Sequence, residues 1–170
     1  MRDARVIQLM TAMGLLDWQA VMVGWDHRWL SKADVVHFAV DWLLRDPDDN
    51  RVAVALLAGG EECGDDEIRR LLVDVIDDSQ ADEGVTMDKW RLAFLSALAE
   101  KDLGWECKVT LLEEIGAAFG APADMRLCTR YGPSERAIKK GLADASDLTV
   151  DPLDAMAKVI ANLKRRFNVG

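Results

Sequence analysis

Apolar residues recur every three or four positions in nearly every segment of this chain, and no stretch alternates apolar with polar residues long enough to make a half-buried strand. That period leaves one kind of architecture open: helices that each bury a stripe against their neighbours. The chain has 170 residues, 50% of them hydrophobic, enough for a core without disulfide or metal staples. The expectation is an all-α fold. It would be a compact bundle of about eight helices in a single domain over residues 1–170, with successive helix pairs able to stack in a solenoid-like way.

The helix ends are marked. Val6, Leu9, Met10 and Met13 define a first helix that Gly14 closes. Asp17 is placed to cap a second, whose Trp18, Met22, Trp25 and Trp29 form one wide stripe. Ser31 and Asp34 have N-cap and N3 spacing for a third, with Val35, Phe38, Ala39, Trp42 and Leu43 turned inward. Asp46-Pro47 reads as the start of a fourth, whose body over 52–58 is apolar all round and is expected at the centre of the core. Gly59-Gly60 stops it. Asp65 opens a fifth, with Ile68, Leu71, Leu72, Val75 and Ile76 on one face. Thr86 is the expected cap of a sixth carrying Trp90, Phe94, Leu95 and Leu98, and Gly104 separates it from a seventh through Trp105, Val109, Leu112, Ile115 and Phe119. After a break at 120–122 a short helix is expected over about 123–130, then a polar, loop-like stretch over 132–150. The last helix begins at Asp151-Pro152 and ends on Lys164, Arg165 and Arg166, which suit its negative end.

Charge is less evenly spread than hydrophobicity. The formal net charge is −9, from 21 Lys and Arg against 30 Asp and Glu. Residues 61–83 hold ten of the acids and only two bases, Arg69 and Arg70. Arg69 stands four after Asp65, and Arg70 stands between Asp66 and Asp74 at the same spacing, so each can offset a neighbour along the helix. Glu61, Glu62, Asp77, Asp78, Asp82 and Glu83 have no such local partner. An island of this kind either keeps a surface solvated or attracts a basic partner, and it repels nucleic acid. No basic stripe with interleaved aromatics offers a phosphate backbone a site, so no nucleic-acid partner is expected.

Catalytic patterns are missing from the sequence. There is no Gly-x-Ser-x-Gly elbow and no phosphate-binding glycine loop. Cys63, Cys107 and Cys128 lack metal or redox spacing and are expected to be free thiols, Cys107 and Cys128 packed as small hydrophobes and Cys63 exposed. The acids at 61–67 do not follow a calcium-loop spacing, so neither a metal nor a cofactor is expected. His37, three after Asp34 and four before Asp41, could form an Asp–His–Asp cluster for proton transfer, but a solvated helix face explains the same spacing. Of the six tryptophans, Trp18, Trp25, Trp29 and Trp42 fall on stripes expected to be buried, so core packing is the default; one exposed beside the island would be a binding anchor. No apolar run is long enough to cross a membrane, no secretion signal stands at the N-terminus, and a cytoplasmic protein is expected.

Two groups of residues carry a resemblance. Leu16-Asp17-Trp18 is followed by Gly24-Trp25 and Trp29-Leu30, and the helix over 112–119 is followed by Pro122, Asp124-Met125 and Tyr131-Gly132-Pro133, with Trp90 in a helix between them. In these the chain resembles a small bacterial family of otherwise uncharacterised all-helical proteins. It departs from that pattern at Gly120-Ala121, where a more acidic and aromatic pair is usual, and at Gly132, where Met is common. The resemblance implies a protein of toxin–immunity neighbourhoods, including contact-dependent growth inhibition systems, where an immunity protein binds its cognate toxin domain.

Nuclease toxins must hold phosphate and are basic, so an acidic inhibitor would complement them. The expected function is therefore that of a non-enzymatic immunity protein for a basic toxin domain, a nuclease foremost. Its expected contacts are Glu61, Glu62, Asp66, Asp77, Asp78, Asp82 and Glu83. The rival reading is a general helical adaptor with an unrelated partner.

Overall fold

Side-chain caps set several of the helix starts. Asp3 accepts from the Arg5 amide, Asp17 from Ala20 and Asp151 from Leu153, while Ser31 and Asp34 close a full capping box. The computed structural model describes residues 2–47, 49, 51–76, 82–130 and 150–170. Among them lie eight α-helices: α1 (Ala4–Ala12), α2 (Trp18–Asp26), α3 (Lys32–Arg45), α4 (Val52–Ala58), α5 (Asp65–Val75), α6 (Glu83–Glu100), α7 (Trp105–Ala118) and α8 (Pro152–Phe167). Short 3-10 turns occupy Gly60–Glu62 and Ala123–Met125, and no strand occurs among the described residues. The chain divides into two compact units, residues 1–90 and 91–170, with the division inside α6.

In the first unit α3 packs on α4, α4 on α5, and α5 returns to α2. Trp18 joins α2 to α3, edge-on to Phe38 at 4.8 Å and 5.5 Å from Trp42. Trp90 is fully buried. Its indole N–H donates to the Ala20 carbonyl at 2.9 Å, and its ring lies 5.2 Å from that of Trp29. The backbone of α2 can come this near because residue 24 is glycine: a Cβ there would meet Trp90 Cζ2 at 2.5 Å and Leu30 at 2.9 Å. The buried face of α2 is thus Trp18, Ala20, Val21 and Gly24, while Met22 and Trp25 are only half-buried. Trp29 lies beyond the helix. Arg28, at φ 57°, turns the chain, and the Gly24 carbonyl accepts from both Trp29 and Leu30 amides.

The second unit has its own core. Arg91, its side chain 5% exposed, forms a two-pronged pair with Asp124 at 2.6 and 3.0 Å. Met125 and Cys128 are buried beside it in sequence, α7 packs on α8, and α8 packs on the Ala123–Met125 turn. Phe94 and Phe119 meet with centroids 5.9 Å apart.

Several local expectations are corrected. The fourth helix starts at Val52 rather than at Pro47, because Asp46 ends α3 and the Asp49 carboxylate is taken by Trp42 and Arg51. That helix is also not central: Val54 and Leu57 are buried, but Val52 and Leu56 point to solvent. The sixth helix starts at Glu83, three residues earlier than Thr86. The Asp82 carboxylate accepts from the Val85 amide, and buried Thr86 donates its hydroxyl to the Asp82 carbonyl. Over 123–130 only the Ala123–Met125 turn is regular, since Asp124 is drawn to Arg91 and the Arg130 amide donates to Glu113. Cys107 is exposed and Cys63 half-buried; Cys128 is in the core as expected. The loop-like stretch over 132–150 lies almost wholly outside the described residues.

The contact between Gly24 and Trp90 makes a direct test. Gly24→Ala overpacks the site and should lower the unfolding free energy by about 1–3 kcal/mol in a urea titration. An unchanged midpoint would mean that the indole can move aside.

Candidate protein-binding surface

The acidic surface is built on the chain reversal between α4 and α5. Gly59 ends α4, the 3-10 turn carries Glu61 and Glu62, and Gly64 leads into α5 without a side-chain cap. Lys32, at the start of α3, anchors the reversal by donating to the Cys63 carbonyl at 3.0 Å. Asp65, Asp66 and Glu67 then fill the first turn of α5, where the positive helix end favours them. All five of these acids are exposed.

The arginines do not pair with Asp65, Asp66 or Asp74 as the spacing suggests. Arg69 reaches across to Asp26 at the end of α2, with Nε 2.9 Å from Oδ1, and Arg70 lies 3.8 Å from Glu67. Asp65, Asp66 and Asp74 consequently form no salt bridge among the described residues. Glu61 and Glu62 form none either. Asp26, Arg69, Asp65 and Asp66 line a cleft of about 410 Å³ together with Trp25 and Lys32, so a half-buried tryptophan does border the acidic surface. Burial foremost, and then neighbouring Glu67, push the Cys63 thiol above its ordinary range; burial pushes Cys128 up to about 11.

The second group of expected contacts lies beyond the other end of α5. Asp82 and Glu83 are exposed there, and Asp82 also caps α6. Asp77 and Asp78 lie outside the described residues. An 11-residue helix spans roughly 16 Å at 1.5 Å per residue, so the two acidic groups are separate rather than one cluster. Near Glu83, side chains of Met22, Val23, Val73 and Ile76 border a smaller apolar cleft of about 170 Å³.

The cation at the negative end of α5 comes from elsewhere in the sequence. Arg51 donates to the Val75 carbonyl at 3.0 Å and forks onto Asp49, with Nε 2.9 and 3.1 Å from its two oxygens. Trp42 Nε1 donates to the same carboxylate at 2.7 Å. Hydrogen bonds from the Arg51 side chain, then its backbone, hold the Asp49 carboxyl well below the usual carboxylate range. Spacing alone gave no sign of this knot, because its partners belong to α3, the 46–51 connection and α5.

His37 is exposed, and it forms no hydrogen bond with Asp34 or Asp41 among the described residues. Asp34 instead accepts from the Ser31 amide at 2.7 Å and pairs with Arg2 at 3.2 Å. Among the described residues no group of three or more His, Cys, Asp or Glu is placed to hold a metal ion, and no helix is long and apolar enough to cross a membrane.

The Asp49 knot sets a pH dependence. A carboxyl whose pKa falls on folding adds stability above its unfolded value, about 3.9, and that stability is lost as pH drops through the lower folded value. Asp49→Asn should therefore unfold at lower urea at pH 7, and the difference from the parent should shrink as the pH falls below about 4. A difference that stays constant across pH would remove the carboxylate's charge from the account.

No curated protein and no solved structure matches the chain. Residues 8–166 match the family described as "Uncharacterized protein conserved in bacteria (DUF2247)". That match takes in both units and nearly the whole sequence, and the chain belongs to this bacterial family.

Proposed function

We propose that this protein is an immunity protein: it binds and neutralises a cognate basic toxin domain, a nuclease foremost, of a contact-dependent growth inhibition system. The observation that carries the reading is the exposed group Glu61, Glu62, Asp65 and Asp66, whose carboxylates are left without salt bridges while Arg69 turns away to Asp26. Such a surface raises the encounter rate with a positively charged cleft and resists competing polyanions. Inhibition is by occlusion, without turnover, in the cytoplasm where the toxin's target lies. Asp82 and Glu83 give a second foothold about one helix length away.

The test is co-purification with the product of the neighbouring gene, followed by binding kinetics at several salt concentrations. Glu61→Gln, Glu62→Gln and Asp66→Asn together should slow association about tenfold or more at low salt and flatten its salt dependence. Asp82→Ser with Glu83→Gln should act in the same direction, Ser being kept to preserve the cap of α6. Affinity and salt dependence equal to the parent's in both variants would refute an acidic docking surface. Capture of a partner unrelated to any toxin would favour the adaptor reading.

A further inference from the structure

The helix α4 has no charged or polar side chain from Val52 to Ala58, yet it lies at the surface. Its inner residues Val54 and Leu57 are fully buried, and its outer ridge leaves Val52 72% and Leu56 51% exposed. On α3, against which it packs, Val40 and Leu44 stand one turn apart and are 39% and 75% exposed. A surface helix of a soluble domain ordinarily turns charged residues outward, and a run of aliphatic side chains there marks a contact site.

The chemistry bordering this ridge states what fits it. Asp41 and Asp46 are exposed at the α3 side and form no salt bridge among the described residues. Arg45 folds back, its guanidinium 5.9 Å from the Trp42 ring centre and its Nε donating to the Asp41 carbonyl at 3.1 Å. Past the Gly59-Gly60 stop, α4 leads directly to Glu61 and Glu62. Protein interfaces have this composition, an apolar centre with a charged rim. A second copy would bring carboxylates against carboxylates, so like charges disfavour self-association on this face.

We infer that the outer ridge of α4, with Val40 and Leu44 of α3, is the apolar centre of the toxin interface. It receives a protruding aliphatic or aromatic side chain that the toxin surrounds with lysine and arginine. This rests on the immunity reading and divides its energetics: carboxylates set the rate of encounter, the ridge sets the lifetime of the complex.

The test uses the full chain and a catalytically inactive form of the toxin domain identified by the co-purification above. Val52→Gln with Leu56→Gln, both at exposed positions and with a good helix former, should leave the fold and urea midpoint unchanged. Dissociation should speed up about tenfold or more, while the association rate and its salt dependence stay as in the parent. Glu61→Gln with Glu62→Gln should do the reverse. An unchanged dissociation rate in the α4 variant, with the acidic variant still impaired, overturns the ridge but leaves the immunity reading standing. A parent that is dimeric by light scattering and becomes monomeric in the α4 variant assigns the ridge to a second copy and also overturns it. A parent chain that does not bind the toxin overturns both.

Discussion

One close approach organises the first unit. Trp90 can be fully buried only because α2 has no side chain at Gly24, and its indole N–H is satisfied only because that approach brings the Ala20 carbonyl to 2.9 Å. Trp29 covers the ring from the turn beyond α2, and Lys89 next in the chain pairs with Asp17, the cap of α2. Packing, hydrogen bonding and capping therefore converge on a single helix crossing. A large aromatic held this way loses about 3–5 kcal/mol on truncation, a sizeable share of what keeps a small unit folded.

Most of the residues in which the chain resembles the family fall on such supports, while Trp25 also borders the acidic cleft. Asp17, Trp18, Gly24 and Trp29 all serve the α2 contacts, and Asp124-Met125 supplies the partner of buried Arg91 together with a core methionine. Those positions dictate the fold and say little of what is bound. The acids of 61–67 sit on a reversal whose backbone is fixed by glycines and Lys32, which leaves their side chains turned to solvent.

What was legible in the sequence was whatever is decided within about four residues. The helical period, the caps at Asp17, Ser31 and Asp151, and the stops at Gly14 and Gly59 act at that range. Errors arose where a distant group outbid a near one. Asp49 went to Trp42 and Arg51 instead of to a helix start, and Arg69 went to Asp26, 43 positions away, instead of to Asp65. Thr86 has the sequence position of a cap, but its side chain is buried and donates to the Asp82 carbonyl, which composition does not reveal. The apolar body of α4 misled in the opposite direction, since an all-apolar helix reads the same whether it is covered by its own chain or by another.

The ridge on α4 also bears on how the free protein behaves as a colloid. Four exposed aliphatic side chains on adjoining helices invite clumping at high concentration. A net charge of −9 opposes this by holding copies apart beyond contact range. That protection reaches only about a Debye length, some 8 Å at physiological salt. On the proposed reading, the charge that would recruit a basic toxin would thus also serve as the protein's own dispersant.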